Sequence, residues 1–135
     1  GSKHIRETMM DEQALSREVV DAAMHVHSAL GPGLLETAYE ACMEYELQQR
    51  KLTVRRQVPM PLTYKGVELD IGYRIDLLVE NAVVLELKAV ERILPIHAAQ
   101  VLGYLRLGRC KLGFVLNFNS VHMRDGIKRL VNGLD

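Results

Sequence analysis

The sequence predicts an α/β fold in which a mixed central sheet is flanked by helices. Two observations lead to this fold class. Apolar residues recur at spacings of three and four near the N-terminus and again around residue 100, which is typical of amphipathic helices. Short apolar runs rich in β-branched residues lie between and after these segments, and they are typical of strands. The predicted order is α-α-β-β-β-α-β-α, which indicates a mixed sheet with helices packed against it.

Two helices are predicted in the first third of the chain. Residues 9–30 carry apolar side chains at helical spacing, namely Leu15, Val19, Ala22, Ala23, Val26 and Leu30. We expect this helix to end at Gly31-Pro32-Gly33, because glycine commonly ends a helix and proline cannot continue one. A second helix is predicted from about Leu34 to Arg50, with an apolar face made of Leu35, Ala38, Cys42, Tyr45 and Leu47.

The middle of the chain has the character of strands. Val54 to Tyr64 contains β-branched residues and two prolines, which favours an irregular or edge strand. Lys65-Gly66 is typical of a turn. The runs VELDIGYRIDLLV and AVVLELKAV meet at Glu80-Asn81 and predict a hairpin.

One helix and one strand are predicted after this hairpin, followed by a final short helix. The helix begins at about Pro95, because proline suits the first helical position, and directs Ala98, Val101, Leu102 and Leu105 toward the core. The run KLGFVLNF is short, apolar and bounded by polar residues, as in a buried strand. We expect a last helix over roughly Arg124 to Asn132.

Composition limits the classes of protein and partner. The 135 residues suit one domain, which we place at residues 9–135, with residues 1–8 as an expression scar and an N-terminal tail. Seventeen basic and seventeen acidic residues cancel, so any basic surface must be local. The aromatic content is only 5%, so aromatic side chains for stacking on bases are in short supply.

Cysteine usage and hydropathy bear on location. Cys42 and Cys110 lie far apart without a metal-binding spacing, which favours a reduced, cytoplasmic protein. No uninterrupted apolar run approaches the roughly 20 residues that a membrane-spanning helix needs.

The predicted hairpin concentrates the charged residues of most interest. Side chains alternate along a strand, so Glu86 and Lys88 point to the same face. If the hairpin pivots about Asn81, Asp76 falls opposite Glu86, because each lies five residues from the pivot. Two like charges directly opposite each other are destabilising, so either Lys88 or solvent exposure must offset their repulsion.

Two interpretations of these charges remain open from pattern alone. Alternating charged and apolar residues are typical of a strand with one solvated face. Against this, Val83-Val84-Leu85 indicates a strand buried on both faces, where ionised groups are costly unless they are paired or bound to metal. The second interpretation is a phosphodiester-cleaving centre in which Asp76 and Glu86 bind Mg²⁺ and Lys88 stabilises the transition state.

Three motifs resemble one family of nucleases. Asp76, then nine residues, then Glu86-Leu87-Lys88 resembles the PD-(D/E)XK nuclease signature. The segment GLLETAY, Gly33 to Tyr39, is similar to the GxxExxY motif that names a small family in that superfamily. The segment QVLGY, Gln100 to Tyr104, resembles the Q-x-x-x-Y motif of related nucleases. The resemblance covers about residues 15–133.

The resemblance implies a fold, a cofactor and a set of roles. The fold is the αβββαβ nuclease core. The implied cofactor is Mg²⁺ or Mn²⁺, held by Glu36, Asp76, Glu86 and the backbone carbonyl of Leu87. Lys88 is the implied catalytic lysine. Gln100 and Tyr104 lie four residues apart on one helical face and support the site or contact the substrate. The implied substrate is nucleic acid, with DNA expected.

Several assignments stay open. Taken alone, Glu36 is a plain helix-start carboxylate, which complements the helix dipole. The function also has an alternative, a non-catalytic binding or assembly module that reuses the nuclease fold. The neutral net charge favours this alternative mildly, and a protein partner or a homodimer would then supply DNA binding. The roles of Tyr39 and His97 are not assigned, although a polar contact at the helix start suits His97.

Overall fold

The computed structural model describes residues 10–133 and confirms the mixed α/β class. The predicted tail, residues 1–8, lies outside the described residues, as does residue 9 of the first predicted helix. The three α-helices are α1 (Glu12–Leu30), α2 (Glu36–Gln49) and α3 (Pro95–Gly108). The first helix begins where the Asp11 side chain accepts a 2.7 Å hydrogen bond from the Ala14 N–H, and it ends at Gly31, as predicted. None of these helices is both long and apolar enough to cross a membrane.

Five strands form the central sheet, and two more form a separate hairpin. The strands are β1 (Val54–Pro59), β2 (Leu62–Tyr64), β3 (Val67–Leu69), β4 (Arg74–Val79), β5 (Val83–Lys88), β6 (Leu112–Asn117) and β7 (Ile127–Val131). The order in the sheet is β1-β4-β5-β6-β7, with β5 and β6 parallel and the other neighbours antiparallel. β2 pairs only with β3.

The sheet separates two hydrophobic cores. The larger core lies beneath α1 and α2 and contains Leu85 and Leu87 of β5. The smaller core lies beneath α3 and contains Val84 of the same strand. Because β5 alternates between the two cores, both of its faces are buried and only its end, at Lys88, is partly open. The strand that carries Glu86 is therefore a central, rigid element.

The predicted last helix is wrong. Over Arg124 to Asn132 the structure has a 3₁₀ turn (Met123–Gly126) followed by strand β7. The physical reason is tertiary pairing, because β7 runs antiparallel to β6 from Leu112↔Val131 to Leu116↔Ile127. Such pairing overrides the local helical preference of a short segment.

Two other predictions need correction in detail. Val54 to Tyr64 begins with an edge strand of the sheet, as predicted, but it is not one strand, because strand pairing is interrupted at Met60 and Pro61 and divides it into β1 and β2. The apolar face of α2 is also displaced. Leu35 and Tyr45 are 77% and 64% exposed. The buried stripe consists of Leu47, as predicted, together with Tyr39 and Met43, and these three recur every four residues.

Candidate active site

The β4–β5 hairpin brings Asp76 and Glu86 side by side. The paired residues Val79↔Val83 and Leu77↔Leu85 confirm that the hairpin is centred on Asn81. One residue beyond the Leu77↔Leu85 pair, hydrogen bonds to side chains replace the backbone pairing of the two strands. The Asp76 N–H donates to Glu86 Oε1 at 3.3 Å, and the Leu87 N–H donates to Asp76 Oδ2 at 2.9 Å. The two carboxylates thus satisfy backbone donors at the point where the strands separate.

The chain is irregular at the same point on the other side of β4. Residues two apart on a regular strand share a face, yet Ile75 lies in the core under α3 and Leu77 in the core under α1 and α2. Opposite this irregularity, Gln57 of β1 has φ 50°, which is uncommon for a residue other than glycine. The Asp76 side chain therefore projects from a local break in the alternation of the sheet.

Burial and mutual repulsion dominate the electrostatics of the pair. The Glu86 side chain is 8% exposed, and burial followed by the charge of Asp76 raises the pKa of Glu86 to about 8. Burial is also the main cause that raises the pKa of Asp76. Lys88 lowers both pKa values, with its Nζ 4.0 Å from Glu86 Oε2. Lys88 thus offsets only part of the repulsion.

Glu36 lies at the open end of this pair. It is the first residue of α2, its side chain is exposed, and its Oε2 accepts a hydrogen bond from the Ala89 N–H at 3.3 Å. Its charge contributes to the raised pKa of Glu86. Glu36 is therefore both a helix-start carboxylate and a third acid near the end of β5.

The donor chemistry suits a hard divalent cation. Mg²⁺ and Mn²⁺ prefer carboxylate and carbonyl oxygens, and the adjoining carboxylates of Asp76 and Glu86 repel each other in a way that a cation would relieve. Within residues 10–133, however, no three His, Cys, Asp or Glu side chains converge closely enough to hold a metal ion as they stand. The pair is present, and a third acidic ligand would need Glu36 to turn toward it.

Of the two predicted residues on α3, Tyr104 lies within range of the charges of the pair. Burial, then the charges of Glu86 and Asp76, raise the pKa of the Tyr104 hydroxyl. Gln100 is exposed and lines a cavity of about 180 Å³ together with Tyr73, Gly103, Tyr104 and Leu107. Gln100 is therefore a neighbour of Tyr104 in this cavity, whose lining does not include the carboxylates.

Two polar residues of the site escaped the sequence analysis. The Gln57 amide donates to Glu40 Oε1 at 2.9 Å and to Asp76 Oδ1 at 3.3 Å, so it bridges two carboxylates. Glu40 is 6% exposed, accepts a further bond from Arg56 and raises the pKa of Asp76. Its spacing was a usable signal, because Glu40 lies four residues after Glu36 on the same helical face. Nothing in the sequence marked Gln57.

Tyr39 acts as a structural brace for the loop before α2. Its hydroxyl donates to the Gly31 carbonyl at 2.7 Å and accepts from the Leu34 N–H at 3.1 Å. Its ring stacks on Phe118, with centroids 4.7 Å apart and planes inclined by 12°. These contacts fix the Gly-Pro-Gly loop and with it the direction in which Glu36 enters α2.

His97 makes the polar contact expected at a helix start. Its Nδ1 accepts a 3.0 Å hydrogen bond from the N–H of Leu94, the residue that caps α3. This bond satisfies one of the backbone donors that every helix start leaves free.

Comparison with protein families supports the superfamily suggested by the motifs. A family model described as the PD-(D/E)XK nuclease superfamily matches residues 13–130, which is most of the chain. Comparison with curated proteins and with solved structures finds no match. The narrower GxxExxY assignment and the cytoplasmic location stay predictions.

Proposed function

The chain belongs to the PD-(D/E)XK nuclease superfamily, and from this membership we propose that it is a Mg²⁺- or Mn²⁺-dependent nuclease that hydrolyses phosphodiester bonds in DNA. The observation that carries the proposal is the adjoining pair of the half-buried Asp76 and the buried Glu86, with Lys88 beside it. Two carboxylates with raised pKa values in a partly open position are typical of a functional site rather than of a solvated strand face.

Asp76 and Glu86 would hold the cation, with Glu36 and the Leu87 carbonyl as the further predicted ligands. When bound, the cation would neutralise phosphate charge and make a water molecule more acidic. The two carboxylates have acceptor positions left for the cation. A carboxylate has about four acceptor positions. Asp76 uses one for Leu87 and one for Gln57, and Glu86 uses one for the Asp76 N–H.

Lys88 supplies the positive charge for the transition state. Its side chain is 20% exposed and its ammonium lies near the carboxylates at the open end of β5. A preorganised cation in a water-poor site stabilises charge that develops on a phosphate oxygen far better than the same cation in water. Tyr104, which lies within range of the carboxylate charges, and Gln100, which lines a cavity with it, would contact the substrate.

A second candidate function has one observation in its favour. The carboxylate oxygens of Asp76 and Glu86 are already engaged by protein donors. A non-catalytic module that reuses the fold would keep such contacts for stability alone. In that case DNA binding by a protein partner or by a homodimer would replace cleavage.

A cleavage screen with matched variants tests the proposal. Single- and double-stranded DNA and RNA would be incubated with wild-type protein and Mg²⁺ or Mn²⁺, beside Lys88→Ala and the control Lys111→Ala. Lys111 is an exposed lysine just before β6, away from the carboxylates. We expect cleavage by wild type and Lys111→Ala and none by Lys88→Ala.

The outcomes separate the two functions. Equal cleavage by all three proteins would indicate a contaminating nuclease and remove the support for Lys88. If none of them cleaves any substrate but Mn²⁺ still stabilises the fold, the binding module is favoured. Because Lys88 is not a predicted metal ligand, Lys88→Ala should retain the thermal stabilisation by Mn²⁺, which excludes misfolding as the cause of its inactivity.

A further inference from the structure

The β2–β3 hairpin stands apart from the sheet yet begins at the active site. Its two strands pair only with each other. The last pair of β1 with β4 is Pro59↔Arg74, and the Met60 N–H then donates to the Tyr73 carbonyl at 2.9 Å. The hairpin with its flanks, residues 60–73, is called the arm below. It continues the ribbon of strands that carries Gln57 and Asp76.

One face of the arm is apolar and exposed. The cross-strand pairs Leu62↔Leu69 and Tyr64↔Val67 share this face, whereas Thr63↔Glu68 occupies the other. Tyr64 and Val67 are 54% and 56% exposed. A two-stranded hairpin on its own is marginally stable in water, and contiguous exposed apolar groups mark interaction surfaces. The arm therefore has the character of a surface that a partner covers.

The few aromatic residues of the chain are concentrated here. Three of its five tyrosines, Tyr64, Tyr73 and Tyr104, lie on the arm or at its root. The ring of Tyr73 meets that of Tyr104 edge to face, with centroids 6.1 Å apart, and it remains 44% exposed. Composition alone predicted a poor supply of stacking side chains, but the fold places three of the tyrosines along the arm and at its root.

The arm carries one cation, Lys65, and two carboxylates, Glu68 and Asp70. Lys65 sits at the tip in a turn with Gly66, where both residues have positive φ, and its Nζ lies 5.6 Å from the Tyr64 ring centroid. The acidic residues are turned away or engaged. Glu68 is on the opposite face, and Asp70 accepts from the Gly72 N–H and lies 3.8 Å from Arg74. The aromatic face thus carries a cation at its tip.

We propose that the arm binds an unpaired segment of the substrate strand, with bases stacked on Tyr64 and Tyr73 and a phosphate near Lys65. The proposal rests on the proposed function, because it takes the substrate to be nucleic acid. Aromatic side chains stack on the faces of unpaired bases, and a basic group tracks the backbone. In a duplex those faces are already stacked on each other. The nuclease is therefore selective for single-stranded segments.

The size of the arm fits such a role. The tip at Lys65 lies six residue steps after Pro59, so it is at most about 20 Å from the end of β1. A strand bound along this length would extend several nucleotides from the carboxylates. Tyr73 would hold a base next to the cleaved bond, and Tyr64 one nearer the far end.

Binding without cleavage tests the arm directly. Fluorescence anisotropy with labelled oligo(dT), and with the same oligonucleotide annealed to oligo(dA), would be measured in EDTA. We expect Tyr64→Ala and Tyr73→Ala each to weaken oligo(dT) binding about tenfold and to leave duplex binding unchanged. Tyr73→Phe should retain the wild-type affinity, because stacking needs the ring and not the hydroxyl. Tyr45→Ala is the matched control, since Tyr45 is 64% exposed on α2.

Several results would overturn the proposal. Unchanged oligo(dT) affinity in both alanine variants would do so, as would equal losses for oligo(dT) and duplex. If analytical ultracentrifugation shows a wild-type dimer that Tyr64→Ala dissociates, a second copy of the chain covers the arm instead. If cleavage depends on Lys88 but the tyrosine variants bind oligo(dT) with wild-type affinity, the proposal for the arm is refuted and the proposed nuclease function is not. Tyrosine-dependent binding without any cleavage would support the arm and refute the nuclease chemistry.

Discussion

Removing the charge of Glu86 should stabilise the metal-free protein at alkaline pH. Glu86 is 6% exposed and faces Asp76, while Lys88 approaches it only to 4.0 Å. The substitution Glu86→Gln keeps one side-chain oxygen that can accept from the Asp76 N–H and removes the buried negative charge. Its volume is nearly unchanged, so the effect should come from electrostatics rather than from packing.

The sign and size follow from the raised pKa. The folded state holds the Glu86 proton up to a pKa of about 8, whereas the unfolded chain releases it near 4.5. The wild type therefore loses stability as pH rises from 4.5 to 8. At 1.36 kcal/mol per pKa unit the limit is about 5 kcal/mol. Asp76 titrates with Glu86 and shares the repulsion, so we expect a loss of about 2 kcal/mol.

Urea unfolding in EDTA at about pH 5 and about pH 8.5 measures this loss. Wild type and Glu86→Gln should have similar free energies of unfolding at the lower pH, and the variant should be the more stable at the higher pH. The slope against urea should be the same for both proteins. Glu68→Gln is the control for the chemical change, because Glu68 is exposed on the arm.

Parallel pH profiles for wild type and Glu86→Gln would refute the reasoning, because they would mean that Glu86 carries the same charge in the folded and unfolded chain. A variant less stable than wild type at the higher pH would also contradict it. That result would mean that the contact with Lys88 outweighs both burial and the repulsion by Asp76.

Two further predictions concern the metal and the brace. Excess Mn²⁺ should raise the melting temperature of wild type, by mass action worth about 2.7 kcal/mol at one hundred times the Kd, and should not raise that of Glu86→Gln; an equal rise in both proteins would exclude Glu86 as a ligand. Tyr39→Phe should lower the free energy of unfolding by about 0.5–1.5 kcal/mol, because it removes the hydroxyl that bonds the Leu34 N–H and the Gly31 carbonyl. Tyr45→Phe is the control for the latter, and an unchanged urea midpoint in Tyr39→Phe would show that water replaces the hydroxyl.

The features that could be predicted from the sequence are those that local patterns determine. The first helix ends at Gly31, and the hairpin centred on Asn81 places Asp76 opposite Glu86, because one turn determines the register of two adjoining strands. The strand β7 could not be predicted in the same way. It pairs with β6 across an intervening loop and a 3₁₀ turn. The local sequence of residues 124–132 does not indicate this pairing.

The residues of the candidate site also fall into those that local patterns predict and those that only tertiary contacts place there. Motif spacing led to Glu36, Asp76, Glu86 and Lys88, and the structure brings the last three together with Glu36 at their edge. Gln57 and Tyr73 could not be found in this way. Gln57 reaches Asp76 because its backbone has φ 50° opposite an irregular β4, and Tyr73 meets Tyr104 across the root of the arm. Both contacts depend on tertiary geometry.

The hydrogen bonds of the two carboxylates determine which substitution, Asp76→Asn or Glu86→Gln, better reports the repulsion between Asp76 and Glu86. Asp76 accepts from Leu87 through one oxygen and from Gln57 through the other. In Asp76→Asn one of these acceptors becomes an NH₂ group, which would face either the Leu87 N–H or the Gln57 amide donor. If the Gln57 amide turns over, its oxygen would face Glu40. The gain from lost repulsion is then offset by an unpaired donor, which costs about 1–3 kcal/mol.

In Glu86→Gln the new NH₂ group would face only Lys88. We therefore expect Asp76→Asn to be less stable than Glu86→Gln at the higher pH, although both remove one charge, and the reverse order would show that the strand-end hydrogen bonds of Asp76 contribute little.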